Sequence, residues 1–213
     1  MTVPLYLFRI ELKEIKPKIW RRFFVPCSIS LATLHEVIQL VMGWLNYHLY
    51  SFTIFGVEYV EPDPEGFKIR MPKHVEEVNL SKVNLNYFQL KKGSTIDYRY
   101  DFGDDWMHQL KLLDTDYKPT NPALKFDCLD GARRCPIEDS GGVYGYYRKL
   151  KILADETHEE YEEILAWAPK GYDPEKFNIK KAKKLMAVFR IKYTLLQLQK
   201  QSVKVLVSQM VRE

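Results

Sequence analysis

Tyr98–His108, YRYDFGDDWMH, is the stretch whose reading decides the fold. Tyr98, Tyr100 and Phe102 alternate with Arg99 and Asp101 at the period of a strand, Gly103 breaks the run, and Trp106, His108 and Leu110 resume the alternation. The pattern predicts an antiparallel hairpin over roughly Thr95–Tyr117, with Asp101, Asp104 and Asp105 held at its lip.

On the amino-terminal side, Leu5, Leu7, Arg9 and Glu11 alternate with Tyr6, Phe8, Ile10 and Leu12, as in a half-buried strand. Lys16 and Pro17 mark a turn, and Ile19–Val25 reads as a second strand that Pro26 ends because proline cannot donate to a ladder. Thr33 and Glu36 stand at capping-box spacing and predict a helix start, with Leu34, Val37, Ile38, Val41 and Trp44 as its apolar stripe and Gly43 at its end. Leu49–Tyr59 reads as a strand or hairpin interrupted at Gly56, and Glu61–Lys92 as one short strand and a loop. Lys118–Gly142 reads as a long connection, which inside a compact domain is usually functional or disordered; Cys128, Gly131, Cys135 and the Gly141–Gly142 pair point to order. Helical spacing follows over Tyr144–Leu153 and Glu156–Trp167, and then from Asn178 to the end. The order predicts an α+β fold: a mainly antiparallel sheet with a ββαβ-like start, helices packed on it and a long C-terminal helix. Residues 1–187 are expected to form the domain and 188–213 a basic amphipathic extension.

The chain has 213 residues, 46% hydrophobic and 14% aromatic, enough to bury a core of its own. It has neither an apolar run of membrane-spanning length nor a signal pattern at its start, and its three cysteines suit no secreted disulfide framework. A cytoplasmic protein with reduced thiols and no membrane partner is expected. The net charge of +4 hides an asymmetry: residues 176–213 hold 10 of the 32 Lys and Arg, against Glu213 alone of the 28 acidic residues.

Several separated motifs occur in a set order: Trp20–Arg22, Leu34–His35, Gly43–Trp44, His48–Tyr50, Tyr100–His108, and Glu138–Asp139 followed by Gly141–Gly142. Together they resemble the plasmid pRiA4b ORF-three-like family over about residues 4–187. Members of that family are sometimes labelled insertion-element passenger or TnpR-type proteins, and the resemblance implies no settled activity. The chain carries Pro136, Ile137, Glu138 and Asp139 where relatives usually show PPED, and Ser140 where many place a cysteine or small residue. These departures leave both carboxylates intact and weaken a cysteine cluster. Neither the serine-recombinase nor the tyrosine-recombinase residue pattern is visible, so the label reflects genetic neighbourhood.

The hairpin and the Cys135–Gly142 loop, CPIEDSGG, are expected to bound a polar-aromatic groove. Its candidate residues are Trp20, Arg22, His48, Asp101, Asp104, Asp105, Trp106, His108, Glu138 and Asp139. The leading reading is a non-enzymatic binding or interaction domain, accessory to a mobile element or a regulator. The alternative is a metal-dependent hydrolase or nuclease using Asp101, Asp104, Asp105, His108, Glu138 and Asp139, with His48 as a further metal candidate and Asp101, Asp105, His108 and Glu138 as the ligand set; no cofactor is favoured, and a divalent metal stays open. The plainer account of the aspartates is Asx-turn bonds to the Gly103 turn, worth about 1 kcal/mol each. Arg22 is expected to pair with Asp104 or Glu138, in preference to joining Trp20 in a nucleic-acid surface. Cys128 and Cys135 stand seven apart, which fits no zinc knuckle, and are read as buried thiols.

In the tail, Leu185, Phe189, Leu196, Val203, Leu206 and Met210 recur at helical steps beside Val188, Ile191, Leu195, Leu198 and Val205. Its first half is expected to dock on the domain and Leu195–Val211 to pack on a second copy or another protein, with a bend or stop at Gln199–Ser202. Nucleic acid is the competing partner, through Lys181, Lys184, Lys192 and Lys200.

Overall fold

The computed structural model describes residues 3–62 and 72–210, with side chains through residue 199. Among these residues eight strands form one sheet: β1 (Leu5–Leu12), β2 (Trp20–Pro26), β3 (Tyr50–Ile54), β4 (Val57–Val60), β5 (Val75–Glu77), β6 (Thr95–Tyr100), β7 (Trp106–Asp114) and β8 (Asp127–Ala132). Their order is β5-β4-β3-β6-β7-β1-β2-β8, antiparallel except for the β4–β5 pair. Four helices accompany them: α1 (Leu31–Met42), α2 (Gly142–Leu153), α3 (Tyr161–Trp167) and α4 (Ile179–Met210). This is the α+β architecture that the sequence predicts.

The β6–β7 hairpin lies at the centre of the sheet, with Tyr98 opposite His108 and Tyr100 opposite Trp106. These four side chains are fully buried, as are Phe8, Ile10 and Phe23 from β1 and β2 and Leu34, Val37 and Ile38 from α1. The opposite face carries Arg9, Glu11, Arg22 and Arg99 and stays accessible, so a one-sided antiparallel sheet accounts for the period-2 pattern.

Four local expectations are corrected. Ser30, not Thr33, caps α1: its hydroxyl accepts the Thr33 amide at 3.2 Å, and Gly43 ends the helix in the left-handed region at φ 98°. The 118–142 connection contains β8, hidden in the sequence because this edge strand buries only Cys128 and is rich in Asp and Gly. Helix α3 begins at Tyr161 because the Asp155 carboxylate accepts the Thr157 amide and hydroxyl, at 3.0 and 2.6 Å, and holds a turn there. Helix α4 continues through Gln199–Ser202, where a bend or stop is expected, and is about 48 Å long at 1.5 Å per residue. Its first turns bury Ala182, Met186 and Phe189 against β8 and α1. The side chains of Val203, Val205, Leu206 and Met210, and residues 211–213, lie outside the described part.

Alternation along β2 sends Arg21 into the core and leaves Trp20 and Arg22 on the accessible face. Trp20 lies under the Arg9 guanidinium at 4.2 Å, and Arg22 faces Asp130 at 3.7 Å. Arg22 therefore does not pair with Asp104 or Glu138, and neither Trp20 nor Arg22 belongs to the groove. Arg21 is 1% exposed and donates to the carbonyls of Val41 at 2.8 Å, Trp20 at 2.7 Å and Ala132 at 2.8 Å. Its guanidinium stacks on Phe177 at 3.8 Å. Only glycine fits beneath it at position 131, where a Cβ would stand 2.7 Å from both Arg21 Cδ and the Phe177 ring. Because truncation strands several buried acceptors, Arg21→Ala is expected to lower the unfolding free energy by about 3–5 kcal/mol, and Arg22→Ala by less than about 1 kcal/mol. Urea denaturation of the two variants checks the contrast.

Candidate functional site

Five residues join β6 to β7, and Asp101 and Asp105 both adopt φ 57°. The Asp105 amide donates to the Asp101 carbonyl at 2.7 Å. Asp101 Oδ1 accepts the amides of Gly103 at 2.9 Å and Asp104 at 3.3 Å, an Asx turn. One carboxylate oxygen thus folds the turn, and Oδ2 is left to face outward from it.

The Cys135–Gly142 loop lies against this tip. Both oxygens of the Asp104 carboxylate accept the Gly141 amide, at 3.0 and 3.2 Å. Gly142, at φ 66°, permits the approach, since a Cβ there would stand 2.6 Å from the Asp104 carbonyl oxygen. Glu138 is 7% exposed, and its Oε1 accepts the Leu45 amide at 2.6 Å and the Tyr100 hydroxyl at 3.0 Å. Burial pushes the Glu138 carboxyl above its ordinary value, with those two hydrogen bonds opposing the shift.

The segment between α1 and β3 supplies the third wall. A closed ring of hydrogen bonds fixes it: Tyr98 donates to His35 Nδ1 at 2.8 Å, His35 Nε2 donates to Asn46 Oδ1 at 2.6 Å, the Asn46 amide donates to Gln39 Oε1 at 2.9 Å, and Gln39 Nε2 donates to Tyr98 at 2.9 Å. From this anchored stretch His48 reaches the tip and the loop together. Its Nε2 stands 3.4 Å from Asp139, 3.6 Å from Asp101 and 3.9 Å from Glu138. Neither His48 Nε2 nor Glu138 Oε2 has a hydrogen-bond partner, although both atoms are buried.

The structure therefore brings together His48, Asp101, Asp104, Glu138 and Asp139 and separates the other candidates from them. Asp105 turns to Arg99, whose Nε lies 2.5 Å from its carboxylate. His108 is fully buried, with Nδ1 donating to the Trp106 carbonyl at 2.9 Å and Nε2 accepting from Trp44 at 3.3 Å. Trp106 is a core residue packed on Trp44 and Tyr146. The ligand set of Asp101, Asp105, His108 and Glu138 is thus not assembled, because strand alternation points His108 inward while the turn points Asp105 outward. Cys27, Cys128 and Cys135 are buried free thiols, and burial pushes all three up, Cys128 to about 11 and Cys135 to about 12, which disfavours the reactive thiolate. Sequence reasoning met Arg21 and His35 only within motifs and assigned neither them nor Gln39 and Asn46 to the framework of the site. The alternation of Arg21 with Phe23 and Val25 was a readable signal of its burial.

A cavity of about 590 Å3 lies behind the loop, walled by Trp44, Leu45, Cys135, Glu138 and Phe177, with Arg134, Lys176 and Lys181 on its charged side. Glu138 is common to the cavity and the His48 cluster.

The model of the family described as plasmid pRiA4b ORF-3-like protein matches residues 4–181. The chain belongs to this family. Uncharacterized protein y4hQ of Sinorhizobium fredii is 35% identical over 170 residues, which cover 78% of this chain and 82% of that protein. The crystal structure of MM3350, a protein of unknown function from Methanosarcina mazei Go1, has a TM-score of 0.71 at 30% identity, covering 84% of this chain and 98% of its own. The family match ends within the first turn of α4, so most of that helix lies beyond it.

Burial holds the His35 and His108 imidazoles down at about 4, against an ordinary 6.5. In the unfolded family member both take up protons near pH 6.5, while the native state resists until about pH 4. Their contribution is therefore complete above pH 6.5 and is lost as pH falls through that window, on the order of 3 kcal/mol per histidine. His108→Gln is expected to flatten this loss by about half in chemical denaturation measured from pH 7 to pH 4.

Proposed function

We propose that this pRiA4b ORF-3-like protein is a non-enzymatic binding domain whose binding centre is the junction of the β6–β7 tip, the His48 segment and the Cys135–Gly142 loop. One observation carries the reading: three carboxylates from two loops converge on one imidazole, and two of the buried atoms facing each other there lack hydrogen bonds. Buried polar atoms are seldom left unpaired in a folded protein, because each costs about 1–3 kcal/mol. The excess of carboxylates suits a ligand that presents a positive charge. Large apolar side chains stand exposed on the same segments: Leu45, Tyr47 and Leu49 around His48, Phe102 beside Asp101, and Tyr144 just past the loop. An apolar rim around a polar centre suits a ligand whose cationic group has apolar flanks. The adjoining cavity is of the size that small-molecule sites take.

Propylguanidine and butylamine serve as probes. Titration of the isotope-labelled chain is expected to shift the amide resonances of Leu45 and Gly103, whose N–H groups are bound to Glu138 and Asp101. Asp139→Asn is expected to reduce the response at least several-fold without loss of stability, because Asp139 is exposed. Absence of any shift at these amides would refute the assignment.

Self-association is the second element of the proposal, favoured by one feature of α4. Val188, Ile191 and Leu195 are more than half exposed and recur at steps of three and four, the spacing of a coiled-coil seam, on a helix whose opposite side is docked. The basic charge of the tail leaves nucleic acid as the rival partner. Light scattering is expected to report a dimer for the full chain and a monomer after truncation at Thr194; an unchanged mass refutes self-association. No described helix is long and apolar enough to cross a membrane.

A further inference from the structure

We propose that His48, Asp101, Glu138 and Asp139 hold a divalent transition-metal ion, zinc or manganese in chemistry. The inference rests on the junction being the binding centre and adds that its carboxylates take a metal ion, distinct from the organic cations used there as probes.

Distances support the assignment first. His48 Nε2 lies 3.4–3.9 Å from one oxygen of each carboxylate, too far for strong hydrogen bonds. Two ligand atoms bound at about 2.1 Å to one ion, at tetrahedral or octahedral angles, stand about 3.0–3.4 Å apart. Ligand atoms of His48, Asp101 and Asp139 all lie within 4.8 Å of one another, so a small inward movement closes these three around an ion, with Glu138 beside them at 3.9 Å from His48 Nε2.

Independent support comes from how the inner oxygens are aimed. Glu138 is more than nine-tenths buried, yet its Oε2 has no hydrogen-bond partner and points at His48. Its other oxygen is committed to the Leu45 amide and the Tyr100 hydroxyl. Asp101 repeats the arrangement, with Oδ1 held by the Gly103 and Asp104 amides and Oδ2 facing His48. In both carboxylates one oxygen is fixed by the protein and the other is presented, which is how outer hydrogen bonds orient metal ligands.

Charge selects the kind of ion. The three carboxylates around His48 Nε2 give the junction an excess of negative charge, which a divalent cation offsets while also using the Nε2 lone pair. An imidazole among carboxylates favours zinc or manganese over calcium or magnesium, which prefer oxygen alone. Asp139 is largely exposed and stands on the solvent side of the cluster.

The test uses the tag-free full-length chain, stripped by chelator and titrated with zinc chloride or manganese chloride by calorimetry, with elemental analysis after dialysis. About one ion per chain is expected. His48→Gln and Asp139→Asn, the more accessible ligands, are each expected to weaken binding at least tenfold, while Asp105→Asn leaves it unchanged. Manganese is expected to broaden the amide resonances of Leu45 and Gly103 before others. The proposal is overturned if no stoichiometric ion binds, if both ligand variants bind as the parent does, or if broadening appears elsewhere. Propylguanidine shifting the same amides without metal binding would sink the metal site and leave the binding centre standing; silence from both probes would sink both.

Discussion

The Arg21 guanidinium is the constraint from which the site is built. It lies on β2, and its donors bind carbonyls of β2 and β8 and of Val41 at the end of α1. The last carbonyls of a helix have no partners within it and carry its negative dipole end, so a buried cation there is favourable on both counts. Two chain segments leave from the groups it holds. One follows Val41 through Gly43 to Leu45 and His48; the other follows Ala132 to Glu138 and Asp139. The two loops that supply the imidazole and two of the three carboxylates are therefore positioned by one buried charge, and Phe177 stacked beneath it fixes the approach to α4.

Three histidines near the β6–β7 hairpin show how partners distinguish structure from function. His35 and His108 have both ring nitrogens bonded to neutral groups, and burial keeps them neutral. They order the core and hold the loop that carries His48. The Nε2 of His48 has carboxylates around it and no hydrogen bond. A polar network whose members are all satisfied gives rigidity, and the unsatisfied atoms beside it mark where a ligand would gain most.

Much of the architecture was legible in the sequence because periodicity reports burial directly. The alternation of Tyr98, Tyr100, Trp106, His108 and Leu110 determined the central hairpin, that of Leu5–Leu12 determined β1, and the spacing of Leu34, Val37, Ile38 and Val41 determined α1. The motifs also determined the family, and the Asx turn at Asp101 followed from residue type. Edge strand β8 was not legible, since a strand that buries little has little period to read.

Only the tertiary structure decided which polar residues meet. Asp105 and His108 lie within a few residues of Asp101, yet the turn and the pleat send them to Arg99 and into the core. His48 and Asp139 come from distant segments and complete the cluster. Local sequence specifies which face of its own strand or turn a side chain takes, because sterics and burial act over a few residues. Convergence of side chains from separate loops depends on long-range packing: the α1 end and the Ala132 carbonyl held by Arg21, and Gly142 pressed against the Asp104 backbone.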